Sequence, residues 1–152
     1  MKKWVFLLAC LLLAGLGAAC ATASSEIGQW HIAEESDREF TDALQLRVTQ
    51  IDPDTNRVTY EIENPGKEVY GCGTDADFAL EVLHNGVWHK MRHEPGWAVT
   101  LELHILNPGE TKEFSTGFMG NLPTGTYRFI KEVSLEESSR NNEFICCEFV
   151  IE

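Results

Sequence analysis

The chain has 152 residues, with 12 lysines and arginines against 24 aspartates and glutamates, so its formal net charge is −12. Nucleic acids and anionic lipid headgroups attract proteins through lysine and arginine, so this charge argues against both as binding partners. The length suffices for one domain with one hydrophobic core.

The first 20 residues have the pattern of an export signal. Lys2 and Lys3 precede an apolar run from Trp4 to Leu16, and small residues then lead to Cys20. The run is shorter than the ~20 residues that cross a bilayer as a helix, so we expect a cleaved signal. The pattern resembles a bacterial lipoprotein signal, which implies that Cys20 is acylated and becomes the first residue of a membrane-tethered, extracytoplasmic protein. The alternative is an ordinary secretory signal with an incidental cysteine.

Removal of residues 1–19 takes away two lysines and no acid, which leaves a net charge of −14. Residues 20–41 are small and polar, then acidic, a composition typical of a flexible linker. We therefore predict a signal peptide over 1–19, a spacer over 20–41 and a folded domain over 42–152. Two alternatives fit parts of the spacer: a short strand that contains Trp30 and Ile32, and a helical turn from Ala33 to Ala43.

From Leu44 onward, apolar and polar residues alternate in short segments that are separated by turn-forming residues. Alternation places every second side chain on one face of a strand. Asn85-Gly86, between two such segments, predicts a two-residue type I′ hairpin turn. The predicted strands are 44–51, 57–63, 78–84, 87–91, 97–106, 111–118, 126–135 and 144–151. Seven or eight short strands without a sustained helical period predict an all-β fold, an antiparallel β-sandwich.

Short strand and turn motifs follow one another in a fixed order between Glu63 and Glu152. They are Asn64, Tyr70-Gly71, Asn85-Gly86-Val87-Trp88, the segments Leu106 to Phe114 and Leu122 to Arg128, and Glu148 to Ile151. This series resembles the bacterial immunoglobulin-like domain of surface lipoproteins. The resemblance implies an immunoglobulin-like sandwich at the cell surface, and it implies no chemistry, because that family has no established catalytic residues.

Three cysteines remain once Cys10 and Cys20 are assigned to the signal and the lipid: Cys72, Cys146 and Cys147. Exported proteins meet oxidising conditions, so we predict one disulfide, from Cys72 to Cys146 or Cys147. Closing a loop of about 75 residues would stabilise the fold by ~4 kcal/mol in the chain-entropy model. Cys146 is preferred, because Cys147 shares the presumed core face with Phe149, whereas Cys72 sits in a Gly-Cys-Gly loop. The alternative is three reduced thiols.

Histidines gather around one predicted hairpin, at His84, His89 and His93. A type I′ turn at Asn85-Gly86 places His84 and His89 on neighbouring rungs of the hairpin. His93 lies four residues beyond His89, a spacing that converges on a helix and does not converge on a strand. We therefore predict surface histidines, and no metal site.

Carboxylates two residues apart share one face of a strand, as in the pairs Asp75 with Asp77 and Glu61 with Glu63. Such pairs serve acid–base catalysis or calcium binding, and they also occur on any solvated acidic strand, which is the interpretation we favour. The sequence contains neither a Gly-x-Ser-x-Gly motif nor a glycine-rich phosphate loop. We predict no catalytic residue and no cofactor.

The leading hypothesis is a non-enzymatic, lipid-anchored immunoglobulin-like module that binds a protein or cell-wall component, or has a structural role, in the bacterial envelope. The first alternative is a proteinase inhibitor, because Asn64-Pro65-Gly66-Lys67 and the Pro-Gly-Glu and Pro-Thr-Gly-Thr-Tyr turns also resemble bacterial inhibitors of β-sandwich fold. Its inhibitory loop would run from Arg92 to Trp97. The further alternative is an extracytoplasmic metal-binding protein built on the segment from His84 to His93.

Overall fold

Two antiparallel sheets make up the described part of a computed structural model, which covers residues 26–27, 30–93, 102–118, 120, 122–135 and 142–152. The strands are β1 (Glu26–Ile27), β2 (Trp30–Glu35), β3 (Gln45–Asp52), β4 (Arg57–Glu63), β5 (Tyr70–Cys72), β6 (Ala79–His84), β7 (Val87–His93), β8 (His104–Leu106), β9 (Thr111–Gly117), β10 (Gly125–Leu135) and β11 (Asn142–Ile151). Within these ranges, no helix is long and apolar enough to span a bilayer. The predicted signal peptide and Cys20 lie outside the described residues.

The large sheet is organised around β10, the longest strand described, with 11 residues. One edge of β10 pairs with β11 from Gly125 to Ser134. The other edge pairs with β6 through Tyr127 to Ile130 and then with β5 through Val133 to Leu135. β7, β2 and β1 continue the sheet beyond β6, and β8 continues it beyond β5. The small sheet has the order β3-β4-β9.

The hydrophobic core lies between the facing sides of the two sheets. Val58, Tyr60 and Ile62 alternate along β4 and are fully buried. The Tyr60 ring centroid lies 4.7 Å from that of Phe129 in the large sheet and 5.2 Å from that of Phe114 in the small sheet. Alternation of inward apolar and outward polar residues therefore produces the sandwich, as the sequence predicts.

Most predicted strands and the predicted hairpin turn are confirmed. Asn85 and Gly86 have φ angles of 52° and 81°, and a type I′ turn requires positive φ at both positions. The three-residue strand β5 was not predicted, because its Gly71 and flanking glycine read as a loop. Of the predicted strand 97–106, the described residues contain β8 at its C-terminal end.

The folded structure starts earlier than the sequence predicts. β2 pairs with β7, and Trp30 is only 3% exposed, with its indole nitrogen donating a hydrogen bond to the Phe118 carbonyl at 2.6 Å. Residues 30–41 therefore belong to the packed domain, and the predicted boundary at residue 42 lies too far along the chain. The short strand at Trp30 and Ile32 is the alternative that holds, whereas the helical turn from Ala33 to Ala43 is wrong.

Asn64 joins three loops at one end of the sandwich and is fully buried. Its amide nitrogen donates to the carbonyls of Glu68 at 2.8 Å and Leu106 at 3.0 Å, and its amide oxygen accepts from the Gly66 N–H at 3.0 Å. Its backbone accepts from the Gly109 N–H at 2.8 Å. One side chain thus satisfies three backbone groups that burial would otherwise leave unpaired.

Tyr127 makes a second constraint, near the start of β10. Its hydroxyl donates a hydrogen bond to the Pro123 carbonyl, four residues upstream, at 2.8 Å. The ring is fully buried and stacks on Phe149, with centroids 5.5 Å apart. This arrangement matches the tyrosine corner of immunoglobulin-like sandwiches.

We expect Asn64→Ala to lower the free energy of unfolding by about 2–4 kcal/mol, because three buried backbone groups lose their partners. The matched control is Asn107→Ala, since the Asn107 amide bonds only to the exposed Glu110 carboxylate, at 3.1 Å. The Asn107→Ala substitution should lower the free energy of unfolding by less than about 1 kcal/mol. Urea denaturation of both variants measures the difference, and equal losses would show that the Asn64 bonds are not what joins these loops.

Candidate functional site

The outer face of the large sheet is crossed by residues 36–44, which connect β2 to β3; we call them the crossover segment. The Ser36 N–H donates to the Trp88 carbonyl in β7 at 2.8 Å, and the Thr41 N–H donates to the Phe144 carbonyl in β11 at 2.9 Å. Since β6 and β10 lie between β7 and β11, the segment passes over both strands. It covers side chains that would otherwise face solvent.

Glu81 lies beneath the crossover segment and is completely buried. Its Oε1 accepts hydrogen bonds from the Ser36 hydroxyl and from Arg38 Nη1, the latter at 3.0 Å. Its Oε2 lies 3.7 Å from Arg128 Nη1 and has no hydrogen-bond partner among the described residues. A carboxylate is costly to bury unless it is paired, and here one guanidinium from the segment and one from β10 provide the compensating charge.

Arg128 links this ion cluster to aromatic rings. Its guanidinium carbon lies 3.9 Å from the Trp88 ring centroid and 5.5 Å from that of Phe40 in the crossover segment. Its Nη2 lies 3.1 Å from the carboxylate of Glu148. Arg38 packs similarly over Phe144, at 5.3 Å. Each cation–π contact contributes about 0.5–2 kcal/mol, so the segment is held by charge and aromatic contacts together.

Strand register explains why these side chains meet. Across the sheet, Lys90 lies opposite Glu81, Glu81 opposite Arg128, and Arg128 opposite Glu148. The four residues therefore form one row of alternating charge on the outer face. The neighbours of Arg128 along β10, Tyr127 and Phe129, point the other way into the core, as strand alternation requires.

A groove of about 750 Å³ runs between the crossover segment and the start of β11. It is lined by Asp37, Arg38, Glu39, Phe40, Thr41, Lys90, Asn142, Glu143 and Phe144. Lys90 Nζ contacts the Asp37 carboxylate at 2.5 Å, and this hydrogen bond is the main reason that the pKa of Asp37 lies below its usual value. The groove thus combines two aromatic rings with charges of both signs.

The cysteines do not form the predicted disulfide between Cys72 and Cys146 or Cys147, and all three are free thiols. Cys72 lies opposite Val133 on one edge of β10, whereas Cys146 and Cys147 lie on the other edge. Two strand spacings separate those edges by about 9.5 Å, beyond the roughly 7 Å between Cα atoms that a disulfide tolerates. Burial raises the pKa of all three thiols, that of Cys147 to about 11.

The histidines behave as surface and packing residues. His84 lies opposite Val87 and His89 opposite Val82, with the Leu83–Trp88 pair between them, and the two histidine ring centroids are 5.9 Å apart. His89 Nδ1 lies 3.2 Å from the Ala33 carbonyl, and His93 packs edge-on against Trp30 with centroids 5.0 Å apart. In the described ranges, no group of three or more histidine, cysteine or acidic side chains is arranged to hold a metal ion.

The two predicted carboxylate pairs have different environments. Glu61 and Glu63 share the outer face of β4, where Arg47 lies 3.3 Å and 3.4 Å from their carboxylates. Asp75 and Asp77 lie in the turn between β5 and β6, not on a strand, and the backbone carbonyl of Asp77 contacts Lys131. Neither pair converges with a third acid among the residues that the structure describes.

Lys131 is a buried cation that sequence reasoning missed. It lies on the inner face of β10, is 1% exposed, and its Nζ donates hydrogen bonds to the carbonyls of Thr74, at 2.6 Å, and Asp77. Burial lowers the pKa of its ammonium group. The signal was present in the alternation of Tyr127, Phe129, Lys131 and Val133, which places the lysine in the core. Its role is to hold the turn between β5 and β6.

Two packed antiparallel sheets and the tyrosine corner define an immunoglobulin-like β-sandwich. A model of the family described as bacterial Ig-like domain matches residues 38–145, which is more than half of the chain, and the chain therefore belongs to that family. The match leaves out β1 and β2.

No curated protein matches the chain. Among solved structures, a crystal structure of a protein described as ApaA from Bordetella pertussis is 22% identical, covers 76% of this chain and 92% of its own, and superposes with a TM-score of 0.38.

We expect Glu81→Gln to lower the free energy of unfolding by about 2–3 kcal/mol, because it removes the buried negative charge that pairs with two arginines while it preserves the side-chain size. Glu148→Gln is the matched control, since Glu148 also contacts Arg128 but its side chain is 56% exposed. The Glu148→Gln substitution should lower the free energy of unfolding by less than about 1 kcal/mol. Urea denaturation measures the free energy of unfolding of both variants. An equal decrease in the two variants would show that the buried pairing of Glu81 with the two arginines does not stabilise the fold more than an exposed ion pair does.

Proposed function

We propose that the protein is a non-enzymatic, lipid-anchored module of the bacterial envelope that binds a protein partner at the cell surface. The family match over residues 38–145 supports the role as a surface module, because membership of the bacterial immunoglobulin-like family suggests a surface or adhesion function. The pattern from Lys2 to Cys20 supports the anchor, since it combines a positive start, a short apolar run and a cysteine after small residues.

The geometry of the ion cluster supports a non-catalytic role. Ser36 and Glu81 have the spacing of a nucleophile and its base, because the hydroxyl donates directly to the carboxylate. Glu81 is, however, held between Arg38 and Arg128 and is completely buried, so a substrate has no access to it. The contact therefore serves to fix the start of the crossover segment.

The two alternative functions gain no specific support from the described residues. The inhibitory loop from Arg92 to Trp97 lies mostly outside them, and its first residue, Arg92, forms an ion pair with Glu34 at 2.8 Å. The histidines of the segment from His84 to His93 make packing contacts, as described above.

Metabolic labelling with palmitate tests the anchor. We expect label on the wild-type protein and its recovery in the membrane fraction, and we expect both to be lost in Cys20→Ser, since the Cys20 sulfur is the atom that would carry the lipid. Cys10→Ser is the matched control, because it changes a cysteine inside the signal and should be labelled like the wild type.

Protease added to intact or outer-membrane-permeabilised cells should digest the wild-type domain, which would place it outside the cytoplasmic membrane. Label that persists in Cys20→Ser, or a domain that is protected until cells are lysed, would contradict the proposal.

A further inference from the structure

We propose that the end of the β6–β7 hairpin, residues 83–88, enters the surface of the lipid bilayer to which the chain is tethered. We call these residues the hairpin tip. The inference rests on the proposed lipid anchor at Cys20. It adds a second membrane contact, and two contacts would fix the orientation of the domain on the bilayer.

The hairpin tip is apolar on both of its faces. Among the described residues, four large apolar side chains are exposed, and two of them are Leu83 and Val87, at 40% and 41% exposure. Leu83 pairs with the half-buried Trp88 on one face, and Val87 pairs with His84 on the other. The tip contains none of the aspartates, glutamates, lysines and arginines that make up 24% of the chain. Tryptophan and aliphatic side chains without charged neighbours suit the boundary between headgroups and acyl chains.

The direction of β1 places the anchor on the same side of the domain as the hairpin tip. β1 is antiparallel to β2, and Glu26 lies opposite His31, which lies opposite Arg92. β2 then runs towards the tip, since Glu35 lies opposite His89. The N-terminal direction of β1, which leads back to the anchor, therefore also points towards the tip.

The length of chain between the anchor and the sheet matches the position of the hairpin tip. Glu26 is at the level of Arg92, and five residues of β7 separate Arg92 from Val87, a distance of about 17 Å. The six residue steps from Cys20 to Glu26 span at most about 21 Å. The acylated cysteine and the tip can therefore lie at the same bilayer surface.

The acids near the hairpin tip can stay out of the acyl region. Glu35 lies opposite His89, two residues or about 7 Å farther from the turn than Val87. Glu152 follows the end of β11, two strand spacings across the sheet from β6. An element that lies in a bilayer surface enters it by about 5–10 Å, so a tilt towards the anchored β1 edge immerses the tip and lifts β11.

The source of the attraction is apolar burial and not charge. The acidic surface of the chain gives anionic headgroups no basic residues to attract, whereas acyl chains require none. The contact should therefore form on zwitterionic phosphatidylcholine vesicles and should persist at high salt, because salt screens charges and does not weaken apolar burial.

The test places the photoreactive residue p-benzoylphenylalanine at position 87 of the full chain. The purified protein is reconstituted into phosphatidylcholine vesicles that contain a radiolabelled phospholipid. Under illumination the ketone of the side chain adds across a C–H bond of a nearby acyl chain, so lipid contact becomes a covalent label. The control carries the same residue in place of Leu103, which is 62% exposed and precedes β8, at the far end of β10 from the tip.

We expect severalfold more lipid label at position 87 than at position 103. Equal label at the two positions, or no label at position 87, would overturn the proposal. Illumination of intact cells separates a lipid from a protein contact, and an adduct of position 87 with a protein alone would also overturn it.

Leu83→Ser, added to the position 87 variant, should lower the lipid label severalfold, because it removes apolar area that the bilayer covers. Leu103→Ser is the matched control, since it removes an exposed leucine elsewhere, and it should leave the label unchanged. Both variants should keep the urea denaturation midpoint nearly unchanged. An equal fall in both would mean that general surface hydrophobicity, and not the hairpin tip, carries the contact.

Failure of the anchor and failure of the hairpin tip give different results. Palmitate labelling reports the anchor without the photoreactive residue, whereas the contrast between positions 87 and 103 reports the tip. Palmitate on Cys20 without a preference for position 87 would overturn the tip alone. A preference for position 87 without palmitate would support the tip and contradict the anchor.

Discussion

The pairing of Glu81 with Arg38 and Arg128 determines how the N-terminal part of this protein joins the rest. A buried carboxylate without cations would be strongly unfavourable, so the fold keeps Glu81 inside only when the crossover segment delivers Arg38 to it. The dependence is mutual, because the segment has only two backbone hydrogen bonds to the sheet among those described, at Ser36 and at Thr41. The ion cluster therefore holds the polar crossover segment in one position against the large sheet.

β10 is the element that makes this arrangement possible. Its inward residues build the core with Tyr127 and Phe129, while Arg128 between them faces the crossover segment. Farther along, Lys131 reaches from the same strand to the turn between β5 and β6. One strand thus places two cations on opposite faces of the sheet, and each of them satisfies oxygen atoms of a neighbouring connection. β10 therefore contributes side chains both to the hydrophobic core and to the polar contacts that hold the neighbouring connections.

The sequence predicts the sandwich well where a strand alternates over its whole length, as β4 does with Val58, Tyr60 and Ile62. β5 has only three residues, too few to show a period, and was read as a loop. β2 has six residues, but it lies in a segment whose small, polar and acidic composition is typical of a linker, and it was read as part of the spacer. The disulfide was wrong because sequence spacing does not reveal that Cys72 and Cys146 pair with opposite edges of β10. Glu81 and its arginines could not be predicted, since a charged residue at an outward strand position normally faces solvent, and only the crossover segment buries it.

The early start of the folded domain changes what the proposed lipid anchor would do. A flexible spacer from Cys20 to residue 41 would let the domain move as far as roughly 70 Å from the membrane, at about 3.5 Å per extended residue. Since pairing begins with β1 at Glu26, the connection has only six residue steps and reaches at most about 21 Å, whatever its conformation. This limit applies to β1, whereas β11 lies five strand spacings farther across the large sheet, at about 24 Å. The anchor would therefore hold the β1 edge of the sheet near the bilayer and would leave the position of the opposite edge to the orientation of the domain.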